Sequence, residues 1–217
     1  MPRLVPFGEA AWLIELGETI DAGISAKVHA LAAAADRLRA TYAGLERAVP
    51  AYASLLVPFD ARTTDAERLH DALVAIVAET VATPLPDAGR LIEVPVRYGG
   101  DDGPDLAEVA ERAGISVTDA VALHAGATYR VFMLGFSPGF AYLGVLPSEL
   151  RSPRRAEPRL RVPAGSVAIA SAQTAVYPHG TAGGWHLVGR TEMSFWDSRA
   201  ADPALLRPGD RVRFVPS

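Results

Sequence analysis

The sequence predicts two domains of different fold class, an α+β domain over residues 1–88 and a mainly β domain over residues 89–217. Helical and strand-like periodicities alternate in the first part, and a segment rich in proline and glycine at residues 83–89 carries neither. From Thr128 onward, short β-like runs are separated by Gly/Pro turns. Many short strands at this spacing are typical of a barrel or a sandwich.

The first part has the order β-α-β-β-α. Apolar residues alternate over residues 10–16, as in a strand, and recur at helical spacing over residues 24–38. Short β-like runs follow between residues 45 and 59, and a second helix begins at a predicted capping box formed by Thr64 and Glu67. Two helices over an antiparallel sheet fit this order.

The second part begins with a predicted strand at residues 91–98. Two short helices follow at residues 105–113 and 117–125, and Ser116 is the predicted N-cap of the latter. The β-like runs are then predicted at residues 129–134, 166–171, 175–177, 185–188, 194–196 and 211–215.

Composition excludes several classes of protein. The 217 residues include 21 basic and 25 acidic ones, and a net charge of −4 argues against a nucleic-acid partner bound through a broad basic face. The absence of cysteine excludes disulfides, thiolate metal sites and a cysteine nucleophile. The first residues lack the apolar core of a signal peptide, and the most apolar stretch, residues 69–82, is too short to span a bilayer. We therefore expect a cytoplasmic protein with no membrane partner.

Residues 135–139, Gly-Phe-Ser-Pro-Gly, match the G-x-S-x-G pattern of a nucleophile elbow. Pro138 has no backbone N–H for an oxyanion hole, and the residues after it resemble a loop or a strand rather than a helix. No Asp lies between Ser137 and His179, as the usual chain order of the triad requires. The pattern favours a shaped loop at the mouth of a pocket, where glycines let backbone approach a ligand. A rigid turn with buried aromatic residues is the alternative.

Residues 151–161 hold five arginines and one acid, and their prolines favour an extended segment. This composition is compatible with a solvated loop, with an interface to an acidic partner, or with recognition of a carboxylate or phosphate. The acidic stretch from Glu93 to Asp119 offers a further alternative, because it can neutralise these arginines within the chain.

Polar residues of the last strands are predicted to form one pocket. Strand alternation places Gln173 and Tyr177 on one face, and it places His186 and Arg190 together on a face of another strand. The Gly183–Gly184 turn leaves room for a ligand between them. A buried polar pair and a structural histidine are the alternatives.

The sequence lacks the common motifs of nucleotide-binding and zinc-binding sites. It contains neither G-x-x-x-x-G-K-[ST] nor G-x-G-x-x-G after a strand, and no pair of histidines has the spacing of a zinc site. We therefore expect no metal site and no complete nucleotide site on this chain.

A series of segments in order resembles the KipI/PxpB family, also called allophanate hydrolase subunit 1 or the carboxyltransferase subdomain C and D family. The resemblance covers roughly residues 132 to 214. The segments that carry it are residues 136–144, 153–155, 162–170, 173, 177–178, 183–186, 189–191 and 208–214.

The resemblance implies a ferredoxin-like α+β domain followed by a cyclophilin-like β-barrel domain. It also implies that the chain is the B subunit of an ATP-dependent 5-oxoprolinase, which opens 5-oxoproline to L-glutamate together with the A and C subunits. Two other roles within the family are a component of a urea carboxylase or allophanate hydrolase system and a non-catalytic inhibitor of a sensor histidine kinase. The implied ligands are a lactam or urea-like substrate and ATP, bound in the assembled complex.

A lactam is unreactive because its nitrogen lone pair is delocalised, and phosphorylation of the amide oxygen by ATP activates it. Such a site needs cations for phosphate and carboxylate and hydrogen-bonding groups for the amide. The predicted catalytic residues are Gln173, Tyr177, His186 and Arg190, and the predicted substrate-binding residues are Ser137, Gly139, Phe140, Arg154, Arg159, Gly183, Gly184 and Trp185.

The chain departs from the family pattern at three positions, where Ala141, Ala182 and Glu192 replace the usual prolines. Glu192 is expected to place an acid beside Arg190, and the two can form an exposed ion pair.

Overall fold

The computed structural model describes residues 2–82 and 89–217. The chain divides into two compact units, Met1–Asp87 and Ala88–Ser217. The predicted boundary segment lies outside the described residues apart from Gly89. Within the described ranges, no helix is both long and apolar enough to cross a membrane.

The first unit is a four-stranded antiparallel sheet with two helices, and its strands are in the order β1-β2-β4-β3. Strand β1 precedes the elements that the sequence pattern predicts. The elements are β1 (Arg3–Pro6), β2 (Ala11–Glu15), α1 (Ala22–Leu38), β3 (Val49–Pro50), β4 (Ser54–Pro58) and α2 (Ala66–Ala82). Apolar residues of both helices and of strands β2 and β4 share one buried core.

The start of α2 differs from the prediction. The Asp65 carboxylate accepts the backbone N–H of Arg68 at 3.1 Å, so Asp65 caps the helix. The Thr64 hydroxyl instead donates to the Ala43 carbonyl at 2.6 Å, 21 residues back along the chain. The predicted capping box of Thr64 and Glu67 is therefore wrong, because a better cap lies one residue later.

The second unit is a closed barrel of seven strands in the order β10-β7-β6-β13-β5-β12-β9, which confirms the predicted barrel. Strands β13 and β5 are parallel, and the other pairs are antiparallel. The two-stranded ribbon of β8 and β11 is separate from the barrel sheet and was not predicted. The elements are β5 (Leu91–Tyr98), α3 (Leu106–Ala113), α4 (Val117–Gly126), β6 (Thr128–Leu134), β7 (Ala141–Gly144), a 3-10 turn (Ser148–Leu150), β8 (Arg159–Val162), β9 (Ser166–Ala170), β10 (Gln173–Val176), β11 (Thr181–Gly183), β12 (His186–Arg190) and β13 (Arg211–Pro216).

The N-terminus of α4 agrees with the sequence-based prediction, whereas residues 194–196 do not. Ser116 caps α4 as expected, since its hydroxyl accepts the backbone N–H of Asp119 at 3.1 Å. The predicted strand at residues 194–196 is wrong, because Trp196 makes only an isolated bridge to Ala204.

A closed polar network lies in the barrel core around His124. The Thr174 hydroxyl donates to the Ala168 carbonyl at 3.0 Å, so it accepts from Nε2 of His124, also at 3.0 Å. Nδ1 of His124 is then free to accept the Tyr98 hydroxyl at 2.7 Å. Burial lowers the pKa of His124 to about 3, which keeps the imidazole neutral.

Strand alternation divides the residues of the barrel wall between two clusters. Val167, Ile169 and Val176 belong to the barrel core, whereas Ala168 and Ala175 belong to a second, smaller cluster with the aromatic residues described below. The small alanine side chains leave space on this face for large rings.

Candidate functional site

The second cluster is aromatic, and Phe140 lies at its centre. The ring centroid of Phe140 is 5.3 Å from that of Tyr177, 5.8 Å from that of Trp185 and 5.0 Å from that of Tyr142. All three pairs have the edge-to-face geometry that aromatic rings prefer. Phe140, Tyr177 and Trp185 are buried, so they form a rigid base rather than an open surface.

The loop at residues 135–139 positions this base. It is closed by a hydrogen bond from the Phe140 backbone N–H to the Ser137 carbonyl at 3.0 Å. Gly139 has φ +77°, and a methyl group there would lie 2.8 Å from the Phe195 carbonyl oxygen, so only glycine fits. The predicted rigid turn with a buried aromatic residue is therefore confirmed, whereas a pocket at this loop stays a prediction.

Phe136 and Ser137 are the unusual residues of this loop. Phe136 adopts a positive φ of 67°, although it is not a glycine, and its side chain is 60% exposed. Its ring centroid lies 5.2 Å from that of Phe140. The Ser137 hydroxyl oxygen is buried and has no hydrogen-bond partner among the described residues. Strain and an unsatisfied polar group in one loop point to a site for a ligand.

The glycine turn has a different role from the one expected. A methyl group at Gly183 would lie 2.8 Å from Cζ of Tyr177 and closer still to its phenol oxygen. The space at Gly183 is therefore filled by Tyr177 rather than left open for a ligand, which corrects the prediction. Burial raises the pKa of Tyr177, a shift that a hydrogen bond from the Trp185 backbone and the charge of Arg154 oppose.

Two of the five segment arginines bind one buried acid. Arg155 donates to the Asp105 carboxylate at 3.0 Å, and Arg159 donates to both of its oxygens at 2.8 Å. The alternative in which the acidic stretch neutralises the segment internally is confirmed for these two arginines. The burial of Asp105 opposes the effect of these ion pairs, but its pKa is still lowered.

Arg154 differs from its neighbours. Its side chain is exposed, and no carboxylate within the described ranges forms an ion pair with it. Burial raises the pKa of Tyr142 as it does that of Tyr177, and the positive charge of Arg154 opposes both shifts. Arg154 is thus an uncompensated cation close to two phenols of the aromatic cluster.

His186 contacts the arginine-rich segment, residues 151–161, at Pro153. Its Nε2 is 2.9 Å from the Pro153 carbonyl, which can only accept, so Nε2 carries the proton. The contact of Arg112 with the same nitrogen at 3.3 Å then joins two donors and is not a hydrogen bond. Its Nδ1 is buried, and no described residue forms a hydrogen bond with it. The structure places His186 as an anchor of Pro153 rather than among the aromatic rings.

The prediction that His186 and Arg190 share a strand face is wrong. His186 pairs with Ile169 of β9, and Arg190 pairs with Ser166 of the same strand. Because Ile169 and Ser166 are three residues apart, they point to opposite faces of the sheet, and so do their partners His186 and Arg190. The register shifts between Leu187 and Gly189, which marks a β-bulge. A bulge reverses the alternation that the sequence pattern assumes.

The structure does not bring Gln173, Tyr177 and Arg190 into one pocket. Gln173 lies at the start of β10, about 13 Å from Tyr177 at the usual rise per strand residue. Arg190 lines a separate open cleft of about 430 Å³, whose other lining residues are Pro95, Arg97, Thr191, Glu192, Met193 and Ser217. Glu192 pairs with Arg97 at 2.9 Å, not with Arg190 as expected.

A group of potential metal ligands lies beside the arginine-rich segment, residues 151–161. Asp105, Glu108 and His186 each offer a ligand atom, and these atoms lie within 4.8 Å of one another. The two carboxylates already bind guanidinium groups, since Arg112 donates to Glu108 at 2.7 Å and Arg155 to Asp105. The group is therefore better described as an ion-pair network than as a metal centre.

Comparison with known proteins gives a family match over most of the chain. The model of the family described as carboxyltransferase domain, subdomain C and D, matches residues 2–206. A Bacillus subtilis protein named as the B subunit of 5-oxoprolinase is 37% identical over an alignment of 222 positions, which covers 98% of this chain and 92% of that protein. An Escherichia coli O157:H7 protein of the same name is 58% identical over 132 residues, and this match spans 61% of each chain.

Solved structures agree with the fold. The crystal structure of TTHA0988 superimposes with a TM-score of 0.81 at 40% identity, covering 100% of this chain and 40% of that one. The Kluyveromyces lactis urea amidolyase superimposes with a TM-score of 0.80 at 20% identity, covering 100% of this chain and 15% of that one. The latter likeness is one of fold alone.

Proposed function

This chain belongs to the carboxyltransferase domain, subdomain C and D, family, and we propose that it is the B subunit of an ATP-dependent 5-oxoprolinase. The complex would open the lactam ring of 5-oxoproline to give L-glutamate, with the A and C subunits as partners, in the cytoplasm. The name of the Bacillus subtilis relative, which aligns with 98% of this chain, supports the assignment. The structural observation that carries it is the exposed Arg154 guanidinium, which has no carboxylate partner among the described residues and whose neighbour Arg155 donates its backbone N–H to Gly184, next to Trp185 of the aromatic cluster.

The substrate has three features that the site can match. Its carboxylate is an anion, and a guanidinium binds a carboxylate with two parallel hydrogen bonds. Its ring methylenes are apolar, and the exposed Phe136 ring offers them a surface. Its lactam carbonyl is an acceptor, and the Ser137 hydroxyl, which has no hydrogen-bond partner among the described residues, is a donor in the same loop as Phe136.

The arginines beside the aromatic cluster do not fit a triphosphate. Arg155 and Arg159 are bound to Asp105, whereas Arg154, whose charge acts on Tyr142 and Tyr177, has no carboxylate partner among the described residues. One guanidinium compensates only part of the charge of ATP, and the sequence holds no phosphate-binding loop. We therefore place ATP on the partner subunits.

We also propose a fold family for each of the two units. A four-stranded antiparallel sheet in the order β1-β2-β4-β3 with two helices supports a ferredoxin-like first unit. The closed seven-stranded barrel supports a cyclophilin-like second unit.

The test compares separate and mixed subunits. Purified A, B and C subunits are assayed for ATP-dependent release of glutamate from 5-oxoproline, singly and in all combinations. We expect turnover only in the mixture, and turnover by this chain alone contradicts the proposal. No turnover in any mixture of folded subunits also contradicts it, and would favour the kinase-inhibitor or urea-carboxylase role.

Arg154→Ala tests the site within the assembled enzyme. Loss of a hydrogen bond to a charged group costs about 1.5–3 kcal/mol, so we expect kcat/KM for 5-oxoproline to fall roughly ten- to hundred-fold. Arg161→Ala removes another exposed arginine, which lies in β8, and is the matched control. Equal effects of the two substitutions would show that Arg154 contributes only general positive charge.

A further inference from the structure

We propose that Asp105 is a positioning residue, whose buried carboxylate holds residues 151–161 against the barrel so that Arg154 stays beside the aromatic cluster. We call residues 151–161 the arginine strap. The positioning of the strap is a property of this chain alone, and its consequence for substrate rests on the proposed function.

The Asp105 carboxylate is saturated with hydrogen bonds. One oxygen accepts from Arg155 at 3.0 Å and from Arg159 at 2.8 Å. The other accepts from Arg159 at 2.8 Å and from the Leu187 backbone N–H at 2.7 Å. Asp105 is only 4% exposed, and its own backbone N–H donates to the Leu187 carbonyl at 3.0 Å. One acid thus joins the strap to strand β12 and to the start of α3.

Backbone contacts fix the strap on both sides of Arg154. Before it, the Pro153 carbonyl accepts from His186, and the Ser152 carbonyl accepts from the Ser171 backbone N–H at 2.5 Å. After it, the Arg155 backbone N–H donates to the Gly184 carbonyl at 2.8 Å. Arg154 is therefore the exposed residue between two anchored neighbours, and its direction depends on both.

The negative charge of Asp105 is what holds Arg155 and Arg159 together, so its removal should disturb the attachment of the strap. Replacement by Asn preserves the size of the side chain but leaves Arg155 and Arg159 facing each other without their shared acid. Glu108 is only a weak substitute, because it is half exposed and lies 3.9 Å from Arg155. The amide nitrogen of Asn also cannot accept hydrogen bonds from a guanidinium. We expect the strap to detach while the seven-stranded barrel remains folded.

The first test needs no activity. The strap contains five arginines, so trypsin can cleave it when it is mobile. We expect the rate of strap cleavage, followed by mass spectrometry, to rise at least about ten-fold in Asp105→Asn. Asp210→Asn is the matched control, because Asp210 is also 4% exposed and binds Arg90 elsewhere on the same barrel. Equal strap cleavage in the two variants, or none above wild type in Asp105→Asn, overturns the proposal.

The second test uses the assembled enzyme. If Asp105 acts through Arg154, we expect Asp105→Asn to raise KM for 5-oxoproline, and Arg154→Ala to have little further effect in that background. A full additional effect of Arg154→Ala overturns the positioning role. If the wild-type mixture shows no turnover, the proposed function fails while the trypsin test still decides the role of Asp105. Should Asp105→Asn not fold, Arg159→Gln loosens the same attachment and leaves the acid paired with Arg155.

Discussion

The phenol of Tyr177 fills the space that a side chain at Gly183 would occupy. A methyl group at Gly183 would lie 2.8 Å from Cζ of Tyr177, whereas one at neighbouring Gly184 would lie 3.6 Å from the Pro158 ring. The two glycines are adjacent in sequence, but only the first is required by packing. The Tyr177 ring is therefore held between Phe140 and the Gly183 backbone, with its hydroxyl beside the ribbon of β8 and β11.

Gly183→Ala should displace Tyr177. Overpacking of a filled site costs about 1–3 kcal/mol, and we expect a loss of that size in the free energy of unfolding from denaturant titration. Turnover by the assembled enzyme should fall with it. Gly184→Ala is the control, since 3.6 Å is ordinary van der Waals contact. Equal losses in the two variants would contradict the assignment of Tyr177 to this space.

The His124 network predicts a dependence of stability on pH. The pKa of His124 is about 3 in the folded chain, and that of an unfolded histidine is about 6.5. Between these values the unfolded chain binds a proton that the folded chain does not. The free energy of unfolding should therefore fall as the pH drops from about 6.5 towards 3, by up to about 1.4 kcal/mol per pH unit from this group.

His124→Gln isolates this contribution. An amide can donate to Thr174 and accept from Tyr98, as His124 does, but it does not titrate. We expect the variant to lose less stability than wild type between pH 6 and pH 4 in parallel denaturant titrations. Identical pH slopes would show that His124 is not the titrating group.

The positive φ of Phe136 predicts an unusual order of stability among its variants. Phe136→Ala keeps a Cβ in the left-handed region, whereas Phe136→Gly removes the strain. Both lose the same ring contacts, so we expect the Gly variant to be more stable than the Ala variant by about 1 kcal/mol. The reverse order, as at an ordinary exposed position, would mean that φ at residue 136 is negative in solution.

Ser137→Ala should separate stability from substrate binding. The Ser137 hydroxyl oxygen is buried without a hydrogen-bond partner in the described part of the chain, and burial of such a group costs about 1–3 kcal/mol. We expect the thermal midpoint of the isolated chain to be unchanged or to rise. If the hydroxyl binds substrate, KM for 5-oxoproline in the assembled enzyme should rise as well. A marked fall in the thermal midpoint would indicate a hydrogen bond from Ser137 in the folded chain.

Local patterns predicted most of the second unit. Strand β5 and the Ser116 cap depend on alternation and on the first turn of a helix, which are properties of neighbouring residues. The same reasoning failed at His186 and Arg190, since a bulge depends on how β12 pairs with β9. It also missed β8 and β11, which pair with each other and, within the described ranges, with no other strand.

For the site, the residue types along the chain establish which chemical groups are available: an aromatic loop, an arginine-rich segment and a phenol on a strand. Which of these groups are already bound to other residues depends on tertiary packing. Asp105 and Arg159 are 54 residues apart, and no local pattern distinguishes Arg159, which binds this acid, from Arg154, which does not. An ion pair in a folded chain depends on which side chains the barrel brings within about 3 Å, and that distance is set by strand pairing across the whole unit.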